Sequence, residues 1–277
     1  MKHSLAVVAD ADCCIPFHLC SLNNVYLAPI DPPLLIEPDT IPQLHSEATA
    51  VPVKESIAAV RKAIEDGATE LLYLATGDGF GSPDNLHEAF DQIENRVTIE
   101  SSDQALMGSG WQAVVAAEVI RAGGTLNEAI STARAVRKEI HVLVMLEHPE
   151  LTSAAGNAEF RESPHRALVS LRGTEVSIIS RPKTREEALT LLRDDFAKRI
   201  VDSARARIAV HHAGAEAGAE ALAIWIQRKL PNAELVIAPL TRHAAARLGP
   251  RMLGIAWYEI PPNDNFSIKS GERSSVR

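Results

Sequence analysis

Residues 70–83 read Glu-Leu-Leu-Tyr-Leu-Ala-Thr-Gly-Asp-Gly-Phe-Gly-Ser-Pro. The apolar run Glu70–Ala75 predicts a strand that is buried on both faces. Ser82 followed by Pro83 is typical of the N-cap and the first position of a helix. The intervening glycines let backbone N–H groups approach a ligand, and a helix N-terminus favours an anion. We therefore expect a strand–loop–helix unit of an α/β fold, with an anion or carboxylate site at Gly77–Ser82.

Two alternatives remain open for this glycine loop. It fits a plain tight turn with an N-cap, which needs no ligand. It also resembles the dinucleotide-binding fingerprint, although Ser82 stands where the third glycine belongs and the loop follows the second strand rather than the first. It is not a Walker phosphate loop, because no Gly-Lys-Ser/Thr follows the glycines.

Working outward, the first half of the chain alternates buried strands with helices. Further strands are predicted at Ser4–Ala9, Val97–Glu100 and His141–Leu146, and further helices at Val53–Asp66, at Met107–Ala122 and from the capping box Thr125–Glu128. The resulting order, β-α-β-α-β-α-α-β, predicts a parallel sheet with helices on both faces. We assign residues 1–150 to this first, α/β domain.

The second half has a different pattern. Arg172-Gly-Thr174 separates two short apolar runs and indicates a β-hairpin. A second capping box, Thr184–Glu187, opens a helix, and strands then alternate with a further helix up to Ile260. A hairpin joined to βαβ elements predicts a mixed sheet. We therefore expect an α+β second domain over residues 151–277.

Composition excludes several classes of protein. A net charge of −8 disfavours a nucleic-acid partner, and 4% aromatic residues are too few for the stacking platforms of single-strand binders. The odd, clustered set Cys13, Cys14 and Cys20 is no disulfide framework and lacks metal-ligand spacing, so we expect a reducing compartment and no metal. The apolar stretch Leu5–Val8 is too short for a signal-peptide core, and no run has the length of a membrane span. We expect a cytoplasmic protein.

Polar residues at strand ends are the remaining candidates for chemistry. Asp10 and Asp12 follow the first strand, at the edge where open α/β sheets bind ligands, and suit acid–base or metal chemistry or simply a turn. His211 and His212 end a later strand, and a structural role is favoured for this pair. Arg247 is a residue type suited to bidentate capture of a carboxylate or phosphate, although a lone arginine is more often a surface residue.

Taken in order, several segments resemble the DegV family. Asp10 and Pro16 match the family opening T-D-S-S-A-D-L-P, and Thr49-Ala-Val-Pro52 is similar to its T-S-Q-P. Further similarities include the glycine loop, which keeps Gly79 and apolar Phe80 of S-S-G-L-S-G-T, Met107-Gly-Ser-Gly110 for M-G-x-G, and Arg247–Gly254 for H-T-G-P-G-A-L-G. The chain lacks most of the family's loop serines, and Arg247 stands in place of the histidine.

This resemblance implies a fold related to the substrate subunit of dihydroxyacetone kinase and a protein that binds fatty acids without catalysis or a cofactor. The fatty acid would lie in a buried slot of the first domain, and a separate kinase would phosphorylate its carboxylate. The implied ligand-binding residues are Thr49, Gly77, Asp78, Gly79, Ser82 and Arg247.

Two other functions remain open. One is a small-molecule kinase or hydrolase that uses Asp10, Asp12 and Asp78 for acid–base or metal chemistry. The other is a regulatory or interaction protein that has kept the fold and lost the ligand. We interpret the protein as one that binds a long-chain fatty acid, or a similar amphiphile, with the carboxylate of the ligand at Gly77–Ser82.

Overall fold

The chain forms two β-sheets with helices packed on them. The computed structural model describes residues 4–30, 32, 34, 52–76, 85–93, 96–149, 166–172, 175–201 and 205–260. The strands are β1 Leu5–Asp10, β2 Val25–Ala28, β3 Glu70–Ala75, β4 Arg96–Ser101, β5 His141–Leu146, β6 Ala167–Arg172, β7 Glu175–Ser180, β8 Ala206–His212, β9 Glu234–Pro239 and β10 Leu253–Glu259. The helices are α1 Phe17–Asn23, α2 Val53–Glu65, α3 Leu86–Phe90, α4 Met107–Arg121, α5 Leu126–Glu139, α6 Arg185–Arg199, α7 Glu216–Lys229 and α8 Arg242–Leu248. Within these residues, no helix is both long and apolar enough to cross a lipid bilayer.

The first sheet is parallel, as the sequence predicts. Its strand order is β2-β1-β3-β4, and every pairing is parallel. Alternate residues of β1 enter different cores because successive side chains of a strand point to opposite faces. Ala6 and Val8 pack with α2, whereas Val7 and Ala9 belong to the cluster that contains α4. Helices on both faces of this sheet confirm the predicted α/β class.

The second sheet is mixed and has the order β7-β6-β5-β10-β8-β9. Only β8 and β9 pair in parallel; the other pairings are antiparallel. The assignment of His141–Leu146 to the first, parallel sheet is wrong, since β5 pairs with β6 and β10 in this second sheet. A short apolar run identifies a buried strand without identifying its neighbours, and two consecutive helices lead this strand away from the first sheet.

Helix α4 lies between the two sheets and packs against β1 on one side and β10 on the other. Twelve of its fifteen residues are buried, as is typical of a helix that is apolar on all sides. One continuous apolar cluster therefore includes residues of both sheets, with Trp111 among its largest buried side chains. The division into domains at residue 150 stays a prediction, because that residue lies outside the described part of the chain.

The sequence predicts a capping box for each of two helices. The structure contains both hydrogen bonds of the box in α5 and one of the two in α6. The capping box of α5 is confirmed: Thr125 Oγ1 accepts the Glu128 N–H at 3.3 Å, and the Glu128 carboxylate accepts the Thr125 N–H at 2.7 Å. Thr184 also caps α6, accepting the Glu187 N–H at 3.1 Å. The carboxylate of Glu187 instead accepts the N–H of Lys183 at 2.8 Å, so the reciprocal bond of the predicted box is absent there.

Candidate functional site

The C-terminal ends of β1 and β3 meet at one edge of the parallel sheet, where a buried network holds Asp10. One carboxylate oxygen of Asp10 accepts a hydrogen bond from the Tyr73 hydroxyl, and the other accepts bonds from the N–H and Oγ1 of Thr76, at 2.8 and 3.1 Å. Tyr73 is also hydrogen-bonded to Ser56 Oγ at 2.8 Å. Burial, and next the charge of Asp10, raises the pKa of Tyr73, which keeps this phenol protonated. Asp10 thus holds Thr76, the residue that follows β3 and directly precedes Gly77 in the sequence.

Asp12 lies two residues further on and binds a different set of partners. It is buried, and its Oδ1 accepts a 2.7 Å hydrogen bond from Thr241 Oγ1. Its Oδ2 contacts Nδ1 of His243 in a short ion pair or hydrogen bond. Thr241 is also the N-cap of α8, accepting the N–H of Ala244 at 3.0 Å. The two carboxylates thus serve separate networks, and one of them joins the first sheet to α8.

Arg247 lies on the same helix, four residues after His243, and is almost entirely buried. The residue is 7% exposed, and among the described residues no hydrogen-bond partner reaches its Nε. Burial lowers the pKa of this guanidinium, and the negative charge of Asp12 opposes that shift. A buried N–H of a cation is costly to leave without an acceptor, and Asp12 offsets only part of the cost of burying this charge.

His211, at the C-terminal end of β8, positions the N-terminus of α4. Its Nε2 accepts the N–H of Met107 at 3.2 Å, and its Nδ1 therefore carries the proton and donates to the carbonyl of Ala238 at 2.9 Å. Burial lowers the pKa of His211 to about 4, so the imidazole is neutral at pH 7. This satisfies one of the free N–H groups at a helix start, and the structural role favoured for this histidine agrees with these contacts.

His212 is also buried, on the other face of the strand, and accepts the N–H of Ala215 at 3.3 Å through Nδ1. Burial lowers the pKa of His212 as well. The two adjacent histidines thus lie in different environments, as the alternation of a strand predicts.

An apolar cavity adjoins the Asp12 network. It has a volume of about 130 Å³ and extends from the segment after β1 to the ends of β2 and β9. Ile15, Leu27 and Leu34 are among its lining residues, and Cys14 and Thr241 line it next to Asp12. A largely apolar space that ends at a buried polar cluster suits an amphiphile, whose chain and head group require those two environments.

The three cysteines near this cavity are free and buried. Burial raises the pKa of the Cys13, Cys14 and Cys20 thiols, so all three are protonated and unreactive. Among the described residues, no group of three or more histidine, cysteine or acidic side chains is arranged to hold a metal ion. The cysteines therefore contribute packing to this part of the core.

Of the predicted ligand-binding residues, Arg247 alone lies within the described part of the chain. Thr49, Gly77, Asp78, Gly79 and Ser82 lie outside it, so their roles stay predictions. Sequence reasoning missed Thr241 and His243, which complete the Asp12 network. A threonine three residues before a helical N–H is an N-cap signal and marks the start of α8, but nothing local connects it to Asp12.

The fold and the site together define a class: an α/β protein of two sheets with an apolar cavity beside a buried polar cluster. A sequence profile described as "Uncharacterised protein, DegV family" matches residues 41–150 and 166–259. This chain therefore belongs to the DegV family.

Relatives with similar sequences and structures extend over nearly the whole chain. A DegV domain-containing protein of Streptomyces coelicolor is 24% identical and covers 92% of this chain and 98% of its own. A fatty-acid-binding DegV family protein from Thermus thermophilus superposes with a TM-score of 0.78 at 20% identity, covering 93% of this chain and 100% of its own. DegV of Bacillus subtilis, described as a fatty-acid-binding protein, gives a TM-score of 0.75 at 17% identity, with 94% and 100% coverage.

Proposed function

We propose that this protein binds a long-chain fatty acid, or a similar amphiphile, with its carboxylate at Arg247 and at the Gly77–Ser82 loop. The observation that carries this proposal is Arg247, a buried residue whose Nε has no hydrogen-bond partner among the described residues. Its cost is offset when a carboxylate accepts that N–H. Thr49, Asp78 and Ser82 supply further polar groups in this proposal.

The apolar cavity supports a hydrophobic tail rather than a small polar anion. Ile15, Leu27 and Leu34 line it, and Thr241 lies between it and the carboxylate of Asp12. Each methylene group removed from water contributes about 0.8 kcal/mol, so the part of the chain that enters this cavity of about 130 Å³ adds to the binding free energy. The polar cluster then selects the head group.

Similar structures support the same ligand class. The Thermus and Bacillus proteins are both described as fatty-acid-binding, and a structure from Eubacterium ventriosum, with a TM-score of 0.71 at 12% identity, is described as a stearic-acid-binding protein. We also propose that the protein presents the bound acid to a separate fatty-acid kinase and catalyses no reaction itself. We also place it in the cytoplasm, an assignment supported by three free, buried cysteines.

The competing kinase or hydrolase function would use Asp10, Asp12 and Asp78, of which Asp78 lies outside the described residues. Asp10 is hydrogen-bonded to Tyr73 and Thr76, whereas Asp12 is engaged by Thr241 and His243. This arrangement favours positioning roles for both carboxylates over a shared catalytic role.

Native mass spectrometry of the purified protein tests the proposal. We expect an adduct that organic extraction releases as a free fatty acid, and we expect the extracted protein to rebind palmitate. Hexadecanol, which has the same chain without the carboxylate, should bind at least tenfold more weakly. Protein that carries no acyl adduct and does not bind palmitate after extraction would contradict the proposal.

A further inference from the structure

The pairing of Asp12 with His243 determines which nitrogen of the imidazole faces the proposed ligand. Both oxygens of Asp12 are engaged, one by the hydroxyl of Thr241 at 2.7 Å and the other by Nδ1 of His243. The carboxylate can only accept, so Nδ1 must carry a proton. Nε2 is then a bare acceptor in the neutral imidazole and a donor in the imidazolium.

Nε2 of His243 is buried and has no hydrogen-bond partner among the described residues, and the same is true of Nε of Arg247. The two residues are four positions apart in α8, so their side chains lie on one face of the helix. One helix face thus presents two unsatisfied nitrogens beside a fully engaged carboxylate. The sequence contains no pattern that would reveal this arrangement.

The net charge of Asp12, His243 and Arg247 favours a bound carboxylate only when the imidazole is protonated. With a neutral imidazole, Asp12 and Arg247 cancel, and Nε2 presents a lone pair that repels a carboxylate oxygen. With an imidazolium, the cluster has one net positive charge and both unsatisfied nitrogens donate. The incoming carboxylate therefore stabilises a proton on Nε2, and Asp12 stabilises it from the opposite side of the ring.

We propose that the head-group site binds a carboxylate together with one proton, which is taken from solvent by Nε2 of His243. This inference rests on the proposed fatty-acid function and adds its control by pH. Asp12 acts as a positioning residue, since it fixes the proton on Nδ1 and holds the imidazolium.

Other titratable groups around α8 do not supply this proton. Arg242 is the remaining charge on the helix and is exposed. From the segment after β1, the Cys14 thiol donates to the carbonyl of Asp12 and is protonated. From β8, His211 is engaged at both nitrogens, and Asp10 at the end of β1 is bonded to Tyr73 and Thr76.

Calorimetry with decanoate tests the inference, because this acid is monomeric and ionised from pH 6 to 9. Titrations of the delipidated protein in buffers of different ionisation enthalpy give the number of protons bound with each ligand. At pH 8.5 we expect decanoate binding to be accompanied by proton uptake, and the Kd to rise as the pH rises. His243→Asn keeps a donor toward Asp12 and cannot titrate, so we expect it to abolish both effects.

Two further variants distinguish loss of proton uptake at His243 from a general loss of structure. In Asp12→Asn, the amide N–H donates to Nδ1, which leaves the proton of the neutral imidazole on Nε2. We expect this variant to bind decanoate at pH 8.5 without proton uptake and more tightly than the wild type. His141 lies at the opposite end of the second sheet, paired with Trp257, and His141→Gln should retain the wild-type uptake.

The possible outcomes distinguish this inference from the proposed function. Binding of decanoate without proton uptake, or uptake that persists in His243→Asn, overturns the inference and leaves the fatty-acid function intact. The absence of decanoate and palmitate binding at every pH overturns both.

Discussion

Replacing Arg247 by methionine should weaken fatty-acid binding while leaving the empty protein at least as stable. Methionine keeps much of the side-chain length and removes the charge and the unpaired N–H. The residue is 7% exposed, and Nε has no hydrogen-bond partner among the described residues. The same substitution removes a group that binds the ligand, which lowers the affinity for palmitate. It also removes a buried charge, which favours the folded state of the empty protein.

The structure sets the size of both effects. A hydrogen bond to a charged group contributes about 1.5–3 kcal/mol, so losing it raises the Kd of palmitate by about 10- to 150-fold. Removing one partner of a buried ion pair is destabilising, but a buried charge whose N–H has no acceptor is itself costly, so its removal offsets the lost attraction to Asp12. Asp12 retains its bonds from Thr241 and His243, so the carboxylate is not left without partners. We expect the free energy of unfolding of Arg247→Met to equal or exceed that of the wild type.

Displacement of cis-parinaric acid by palmitate measures the binding, and urea unfolding of the delipidated protein measures the stability. Arg242→Met is the matched control, since it removes the same charge from an exposed position of the same helix. It should change the palmitate Kd by less than twofold. Wild-type palmitate affinity in Arg247→Met would refute the reasoning that a buried, unpaired guanidinium holds the carboxylate.

Three other predictions concern stability. Because burial lowers the pKa of His211 to about 4, the unfolded chain binds the extra proton first, and stability falls by about 3 kcal/mol as the pH drops from about 6.5 to about 4. Urea unfolding across that range should show a shallower loss in His211→Asn, and parallel profiles would exclude this histidine as the cause. Arg207 is 6% exposed and binds Glu118 through two nitrogens, at 2.7 and 2.8 Å, and Glu234 through Nε at 2.7 Å. Because Glu234 still pairs with Arg207, Glu118→Gln should destabilise the protein by about 1.5–3 kcal/mol. The double variant with Arg207→Met should cost less than the sum of the single changes, and strict additivity in denaturant unfolding would argue against a coupled pair. Thr125→Ala removes the α5 cap and should cost about 1 kcal/mol, whereas an unchanged unfolding midpoint would show that the cap contributes nothing.

Local chemistry made much of the fold predictable. The cap at Thr125 depends on a residue three positions away, and the glycine-punctuated ends of helices are equally local signals. The strand at His141–Leu146 was predicted correctly as a strand and assigned to the wrong sheet. An apolar run reports burial, whereas the pairing partner of a strand depends on residues more than a hundred positions away along the chain.

The site was less predictable because its contacts are distant in sequence. Asp12 is 229 residues from Thr241 and 231 from His243. A threonine and a histidine near a helix start have no distinguishing pattern until the fold brings them to the end of β1. Arg247 could be selected because its segment resembles a family motif, yet its burial and its unpaired Nε are properties of the folded chain.

A crystal structure of the delipidated protein reloaded with palmitate tests the central claim most directly. We expect continuous elongated density in the cavity lined by Ile15, Leu27 and Leu34, with the carboxylate within hydrogen-bond distance of Arg247. Palmitate bound at another place, or a guanidinium of Arg247 that makes no contact with the ligand, would contradict it.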